Sequence, residues 1–343
     1  MQICILTHRI GANFGSGIER YGYEIYERLK SRHDVKLVES AKSGLPQYVA
    51  DFTYVPFKAI AHGSKIVHAL TPREALALPF LRKSVVTYHD FIAFTGYHSE
   101  GSNFLTKRYY GFLWKAASGA KHITANSEQT KAELVRAFDL PPEKISVVNL
   151  GVDGRFKPLP ETGKDDATKI IGYLSSMVRR KRVDKAIEFF KMFQDRYGAC
   201  AKMEIYGKTE FKNLQVIDPF DVIRKLGVKD ARVFGFVDDA SIVETYNRFD
   251  VMLYTSEYEG FGLPVVEAVS CGVPVVVRRG ARITPEVKEL CVEVDEHDAA
   301  GTIHKILFDD GFRRKVIKSG LEKVKRFSWE NCVDGLERVY QNL

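Results

Sequence analysis

The chain has 343 residues, more than a single hydrophobic core usually serves, so its length predicts two domains of roughly 150 to 200 residues. Apolar residues make up 45% of the sequence and charged residues 28%, which excludes a disordered chain, and no apolar run approaches the roughly 18 to 20 residues of a spanning helix. Most of the net charge of +7 lies in residues 1–150, which carry 19 Lys and Arg against 13 Asp and Glu.

The positive first half favours an anionic partner, such as a phosphorylated acceptor, a membrane surface or a nucleic acid. An ordinary solvated surface explains the same excess equally well. The start of the chain lacks the apolar core of a signal peptide, so we expect a cytoplasmic protein. The five cysteines include no Cys-x-x-Cys pair, which indicates a reducing compartment and argues against a cysteine-based zinc site.

Short apolar runs rich in Val and Ile alternate with helical patterns along the chain, as in parallel sheets whose strands are joined by crossover helices. In the first half these runs are 2–7, 35–39, 66–69, 85–89, 122–125 and 145–148. In the second half they are 169–174, 202–206, 231–234, 250–254, 274–277 and 291–294. The repetition predicts an α/β protein with two doubly wound, Rossmann-type units.

A segment rich in Gly, Pro, Lys and Asp separates the two sets of strands at 151–168 and predicts a linker. We therefore predict one domain at 1–155 and a second at 156–327. A helix N-cap signature at Ser328 predicts a terminal helix over 328–343, which would dock on one of the two domains and could cross back to the first. Ligands bind outside the carboxyl ends of such strands, so two facing sheets predict a cleft at the linker.

The most informative motif follows the predicted strand at 250–254 and runs Glu-Gly-Phe-Gly-Leu-Pro-Val-Val-Glu from Glu259 to Glu267. Gly262 permits close backbone approach, and Pro264 suits the first turn of a helix, where its missing N–H is no loss. The motif therefore predicts a strand, a glycine loop and a helix.

The backbone N–H groups of Leu263, Val265 and Val266 would be free at the N-terminus of that helix, where the macrodipole favours a phosphate. Glu267 stands alone in an apolar helical run, where a carboxylate is costly unless it is hydrogen-bonded. Two vicinal hydroxyls, as in a ribose, would satisfy it, and Glu259 in the loop could meet the hydroxyls of a sugar. Alternatively, both carboxylates favour the positive helix end or pair with nearby Lys and Arg.

The motif resembles the paired-glutamate signature, Glu-x7-Glu around Gly-Phe-Gly-Leu-Pro, of retaining glycosyltransferase family 4, and the likeness extends over almost the whole chain. It implies a GT-B-like fold of two Rossmann-type domains, an acceptor-side domain and a donor-binding domain, that face a central cleft. It implies transfer of a sugar from a UDP- or GDP-linked donor to a hydroxyl of a saccharide or lipid-linked acceptor, with retention and an α-linkage. Glu267 would then bind the donor ribose, Glu259 the transferred sugar, and the backbone of Phe261, Gly262 and Leu263 the sugar and diphosphate.

The same resemblance assigns donor contacts to residues outside the motif. His89, at the end of a predicted strand, would contact the donor sugar in the active site. Gly15 and Gly17 would let the backbone approach the diphosphate, although this loop could also be a plain strand-to-helix turn. The loops that contain Gly207 and Val237 would surround the nucleobase, largely through backbone groups.

One position departs from the family pattern, because Ser176 stands where an arginine is usual, whereas Lys181 is kept. Arg179, Arg180 or Arg182 would supply the missing charge, or the basic run is a solvated loop. Fixed cations stabilise a departing diphosphate strongly. Since there is also no Asp-x-Asp motif, we expect no metal and no cofactor besides the donor.

Two interpretations fit the aromatic and basic segment 103–121. It would lie on the inner membrane face as an amphipathic helix, or it would pack into the core with one face exposed to solvent. We expect no nucleic-acid partner. Rival functions are a nucleotide-sugar epimerase of the same fold and a catalytically weak nucleotide-sugar-binding protein. A nicotinamide dehydrogenase is not expected, because neither half has Gly-x-Gly-x-x-Gly after its first strand.

Overall fold

The computed structural model describes residues 1–10, 17–92, 104–160, 168–209 and 215–343. These residues form two units, one of Met1–Gly151 with Phe327–Leu343 and the other of Val152–Arg326. Each unit contains a six-stranded sheet in which neighbouring strands are parallel. The grouping does not assign roles, so the acceptor-side and donor-binding labels of the two predicted domains stay predictions.

The sheet of the first unit has the strand order β2-β1-β3-β4-β5-β6. Its strands are β1 (Gln2–Thr7), β2 (Asp34–Glu39), β3 (Ile66–Ala69), β4 (Ser84–Tyr88), β5 (His122–Ala125) and β6 (Ile145–Val147). The helices before the linker are α1 (Gly17–Arg32), α2 (Gln47–Phe52), α3 (Tyr54–Ala61), α4 (Phe104–Ala117) and α5 (Glu128–Phe138). The order reverses between β1 and β3, and their carboxyl ends form the switch point where ligands of doubly wound sheets bind.

The sheet of the second unit has the order β12-β11-β10-β7-β8-β9. Its strands are β7 (Lys169–Leu174), β8 (Ala201–Tyr206), β9 (Ala231–Gly235), β10 (Val251–Tyr254), β11 (Val275–Arg278) and β12 (Val292–Val294). Its helices are α6 (Val183–Tyr197), α7 (Pro219–Leu226), α8 (Ile242–Arg248), α9 (Leu263–Ser270), α10 (Pro285–Lys288), α11 (Ala299–Phe308) and α12 (Asp310–Val324). Here the order reverses between β7 and β10.

The strands confirm the sequence prediction, since all twelve are present and each end differs by at most one residue. The reason is local: a strand that is covered by helices on both faces must be apolar throughout, and such runs are visible in the sequence. In β1, for example, Ile3, Cys4, Ile5 and Leu6 are all fully buried.

The terminal helix α13 (Trp329–Gln341) belongs to the first unit. It begins at Ser328, whose hydroxyl accepts a hydrogen bond from the Asn331 N–H and so satisfies one of the free donors of the first turn. Near its other end, the Tyr340 hydroxyl lies 2.6 Å from Nδ1 of the buried His68 on β3. Burial lowers the pKa of His68 to about 3, so this histidine is neutral near pH 7. Its hydrogen bond to Tyr340 helps to hold α13 against the sheet.

Helix α4 holds part of the aromatic segment for which two interpretations were open. Leu113 is fully buried and Trp114 packs edge-on against Tyr88, so this part of the helix packs inward. Phe112 is 56% exposed and stacks on the exposed Phe52 of α2. Across the described ranges, no helix combines the length and the apolar character needed to cross a membrane. Cytoplasmic location and membrane contact stay predictions.

Candidate active site

A buried group of opposite charges lies at the carboxyl ends of β7 and β10, at the switch point of the second sheet. Lys181 ends the short turn after β7, and Glu259 lies in the loop after β10. The Lys181 ammonium is paired with Oε1 of Glu259, and the Arg180 guanidinium lies 3.2 Å from Oε2. The structure therefore brings together three of the predicted site residues, two cations and one carboxylate.

Backbone hydrogen bonds hold the two loops of this group together. The Glu257 N–H donates to the Arg180 carbonyl at 2.9 Å, and the Arg180 guanidinium donates to the Tyr258 carbonyl at 3.1 Å. The Thr255 hydroxyl donates to the Lys181 carbonyl at 3.3 Å. These hydrogen bonds join the turn after β7 to the loop after β10 and so keep Lys181 and Glu259 next to each other.

The electrostatics of the group favour an ionised Glu259. Its side chain is buried, which by itself would raise its pKa, but the charges of Lys181 and then Arg180, with hydrogen bonds from Lys181 and Ser256, outweigh burial and lower the pKa to about 2. Two cations thus face one carboxylate, so the group can attract a further anion.

The remaining arginines of the basic run point elsewhere. The exposed Arg179 donates from Nη1 to the Gln215 side chain at 2.9 Å. Arg182 has the left-handed φ of 52° and is paired with Asp184. Of the three candidates for the missing family charge, Arg180 is therefore the one that supplies the second cation of the group.

The loop before α9 confirms the predicted sequence of strand, glycine and helix. Gly262 has φ of 106°, a conformation that is strained for other residues, and Pro264 lies in the first turn. One detail of the prediction was wrong: the Val265 N–H is not free, because it donates to the Gly262 carbonyl at 3.0 Å. A tight first turn uses that donor, and the Leu263 N–H stays the predicted phosphate contact.

Glu267 lies in α9, four residues after Leu263, with 5% of its surface exposed. The Tyr246 hydroxyl of α8 donates to its Oε2 at 2.8 Å. Burial raises the pKa of Tyr246 well above its usual value, so this hydroxyl keeps its proton and acts as the donor. Sequence reasoning predicted that this carboxylate needs a partner but missed Tyr246, because no local pattern connects the two helices.

Three other predicted donor contacts lie at the same edge of the second sheet. Gly207 follows β8 with φ of 148°, and a Cβ at this position would lie 1.7 Å from the Ser175 carbonyl oxygen, so only glycine fits there. Val237 is half-buried in the loop after β9, and Phe261 is buried before α9. Their roles in binding stay predictions.

His89 follows β4 in the first unit and is buried. Its Nε2 lies 3.0 Å from the Leu70 carbonyl, which can only accept, so Nε2 carries the proton and Nδ1 has the lone pair. Burial lowers the pKa of His89 to about 4, and the ring is therefore neutral near pH 7. Tyr21 packs edge-on against it at 4.8 Å.

Gly17 is the first residue of α1, whereas Gly15 lies outside the described residues.

A pocket of about 220 Å³ lies in the first unit at the carboxyl ends of β1, β3 and β4. Its walls include Thr7, His8, Thr71, Arg73, Glu74 and His89. The prediction named His89 and missed the turn after β3. The spacing Thr71-Pro-Arg-Glu74 could have been noticed, but a Thr followed by a Glu three residues later indicates a helix cap and not a binding site.

Two family models together match almost the whole chain. Residues 15–155 match the model described as Glycosyltransferase Family 4, and residues 156–323 match the model described as Glycosyl transferases group 1. The division between the two models, at residues 155 and 156, lies within the predicted linker.

Curated relatives have names of the same enzyme class. The O-antigen chain mannosyltransferase B of Escherichia coli is 27% identical over 282 residues, which are 77% of this chain and 71% of that protein. The D-inositol 3-phosphate glycosyltransferase of Acidothermus cellulolyticus is 36% identical over 249 residues, 66% of this chain. The chain spans only 54% of the length of that second relative.

Solved structures resemble the chain over its whole length. WaaG, a glycosyltransferase involved in lipopolysaccharide biosynthesis, aligns with a TM-score of 0.73 at 15% identity and covers 99% of this chain and 100% of its own. HepE of Anabaena, in complex with UDP and glucose, aligns with a TM-score of 0.71 at 17% identity and covers 100% of both chains. These likenesses confirm a GT-B-like fold. The two family matches, which together span residues 15–323, show that the chain belongs to the glycosyltransferases of family 4 type.

Proposed function

We propose that this glycosyltransferase moves a hexosyl group from a UDP- or GDP-linked nucleoside diphosphate sugar to a hydroxyl of a saccharide or lipid-linked acceptor. The product would be an α-linkage formed with retention at the anomeric carbon. The observation that carries the proposal is the buried group of Arg180, Lys181 and Glu259, whose carboxylate lies in the loop that leads into α9. The complex of HepE with UDP and glucose supports the donor class.

The cations explain how the diphosphate would be held without a metal. The Lys181 ammonium would contact a phosphate oxygen from its place beside Glu259, while Arg180 would continue to neutralise that carboxylate. The Leu263 N–H would add a donor at the positive end of α9. Charges that are fixed in place before the reaction stabilise a growing negative charge without reorganisation, which is where most of the rate enhancement would arise.

The chemical step would take place on one face of the sugar. The bond between the anomeric carbon and the diphosphate oxygen breaks, the acceptor oxygen bonds to the same face, and the acceptor proton passes to an oxygen of the leaving diphosphate. Glu259 would accept hydrogen bonds from the transferred sugar, His89 would accept one through Nδ1, and Glu267 would bind the ribose diol beside Tyr246.

The test is a Glu259→Gln substitution in a transfer assay with product analysis by NMR. We expect kcat to fall roughly a hundredfold, because a neutral amide cannot stabilise positive charge at the anomeric carbon, with donor affinity changed by only a few-fold. The matched control is Glu257→Gln, in the same loop but paired with Arg182, which should keep kcat within about threefold of the parent. An unchanged kcat in Glu259→Gln would refute the site, and a β-linked product from an α-linked donor would refute retention.

Incubation with donor alone separates a transferase from an epimerase. A transferase leaves the sugar nucleotide intact or hydrolyses it slowly, whereas an epimerase converts it into a second sugar nucleotide. Addition of an acceptor separates a transferase from a binding protein, because only the transferase then forms a glycosylated product. Conversion of one sugar nucleotide into another, without transfer to any acceptor, would favour the epimerase over our proposal.

Peripheral contact with the inner membrane face is a separate proposal, favoured by the exposed stacked pair Phe52 and Phe112 beside the exposed Arg108 and Lys115 of α4. Aromatic rings and cations on one face suit an anionic bilayer. Sedimentation with vesicles of one-third phosphatidylglycerol should carry the protein down, and Phe112→Ser should release it. Equal sedimentation with neutral and anionic vesicles would refute this contact.

A further inference from the structure

The pocket of the first unit has a carboxyl group in its wall that the protein satisfies only in part. Glu74 ends the short turn after β3 and is 1% exposed. Its Oε2 accepts a hydrogen bond from the Thr71 hydroxyl, but Oε1 has no hydrogen-bond partner in the described part of the chain. A buried polar atom in this state loses its hydration and gains no hydrogen bond in return, so native proteins seldom keep one without a reason.

Two side chains near Glu74, those of Arg73 and Asp51, also have polar atoms whose hydrogen bonds are incomplete. The Arg73 guanidinium lies 3.4 Å from Oδ2 of Asp51, a fully buried carboxylate to which the Tyr109 hydroxyl also donates at 3.4 Å. These are long hydrogen bonds. Within the ranges that the structure describes, Nε of Arg73 and Oδ1 of Asp51 have no partner either. Among the described residues, one donor, Nε of Arg73, and two acceptors, Oε1 of Glu74 and Oδ1 of Asp51, thus lack hydrogen-bond partners around the turn after β3.

The charges of the pocket disfavour an anionic ligand. Among the residues that the structure describes, its charged side chains are Arg9, Arg73, Glu19, Glu74 and Asp90. His8 and His89 add no positive charge near neutral pH, because burial lowers the pKa of both. Two cations therefore face three carboxyl groups, and a phosphate would be placed beside like charges. A hydroxyl group, which donates and accepts, can bind a carboxyl oxygen and a guanidinium equally well.

We propose that this pocket binds the hydroxyl-rich end of an uncharged saccharide acceptor, which Glu74 and Arg73 recognise through two neighbouring hydroxyls. Trp114, which also lines the pocket, gives an aromatic wall for the apolar face of a sugar ring. The inference rests on the proposed glycosyl transfer and names its acceptor class. It predicts that the pocket binds an uncharged sugar more tightly than a phosphorylated one, although the first half of the chain has a net positive charge.

The experiment compares two uncharged probes, methyl α-mannoside and myo-inositol, with mannose 6-phosphate and inositol 3-phosphate. Binding to the full chain with saturating UDP is followed by saturation-transfer NMR. We expect both uncharged probes to bind and each phosphate to bind at least threefold more weakly. Glu74→Ala should weaken the uncharged probes at least tenfold and leave the calorimetric Kd for UDP within twofold.

Two further variants keep the outcome decisive. Glu74→Gln, which keeps a donor and an acceptor and should fold even where the alanine variant does not, should bind the uncharged probes within threefold of the parent. Glu24→Gln, at a buried carboxylate of α1 that is paired with Arg28, is the control and should bind them equally. Tighter binding of the phosphates, no effect of Glu74→Ala, or no binding of any probe would overturn the inference. Failure of the parent protein to bind UDP would instead count against the proposed function.

Discussion

The two units each bury a glutamate at the switch point of a parallel sheet, and the surroundings of the two carboxyl groups differ. In the second unit, Glu259 is paired with Lys181 and Arg180, and its pKa falls to about 2. In the first unit, Glu74 accepts one hydrogen bond from a hydroxyl, and its other oxygen has no partner among the described residues. The pKa of Glu74 rises to about 7, mainly because of burial.

The difference indicates what each site is prepared to receive. A carboxylate that is already neutralised by two cations forms part of a charged site, to which a diphosphate can be added. A buried carboxyl with an unmet hydrogen bond favours a neutral partner, because each added hydroxyl removes a desolvation cost without adding charge. Under the proposed function, the charged site of the second unit would therefore receive the donor, and the pocket of the first unit would receive the acceptor.

The largest expected effect comes from removing the second unit's buried ammonium. Lys181→Ala should lower kcat/KM roughly a hundredfold to a thousandfold, because a fixed positive charge is lost from the leaving diphosphate. Steady-state kinetics with donor and acceptor would measure the effect. The control is Lys185→Ala, in the first turn of α6 and paired with the surface residue Glu188, which should stay within about twofold. Comparable losses in both variants would show that general charge, and not this position, matters.

A second prediction uses the opposite pKa shifts of the two glutamates. Glu74 has a raised pKa, so the folded state holds its proton more tightly, and the free energy of unfolding falls as pH rises from about 4.5 to 7. A shift of this size corresponds to up to about 3 kcal/mol. Because Gln cannot ionise, Glu74→Gln should be more stable than the parent at pH 8 and similar to it at pH 5.

Glu259 should behave in the opposite way. Its lowered pKa stabilises the fold above pH 4.5, and this contribution is lost as pH falls towards 2, so Glu259→Gln should be less stable than the parent at pH 5 and at pH 8. Urea unfolding of both variants at the two pH values measures the contrast. If both substitutions changed stability in the same direction at pH 8, the distinction between the two carboxyl groups would be lost.

The smallest expected effect is a difference in UDP affinity between variants of two neighbouring arginines. Arg180→Gln should weaken UDP binding roughly tenfold, because its guanidinium belongs to the buried group. Arg179→Gln should stay within about twofold, because that side chain is exposed and bonded to Gln215. Calorimetric titration with UDP measures both, and equal losses would mean that the whole basic run binds the diphosphate.

Much of this molecule could be predicted from local patterns. The twelve strands follow from apolar runs, and the start of α9 follows from Gly262 and Pro264, because a positive φ and a helix start are decided within a few residues. The need of Glu267 for a partner was also visible, since a carboxylate in an apolar helical run is costly anywhere.

What only the tertiary structure decided is which groups meet. Lys181 and Glu259 are 78 residues apart and pair because β7 and β10 are neighbours in the sheet. Tyr246 of one helix contacts Glu267 of another. Among the described residues that surround the turn of Glu74, none gives its Oε1 a hydrogen bond. Strand order and helix packing set these contacts through burial of the whole core, and no short stretch of sequence contains that information.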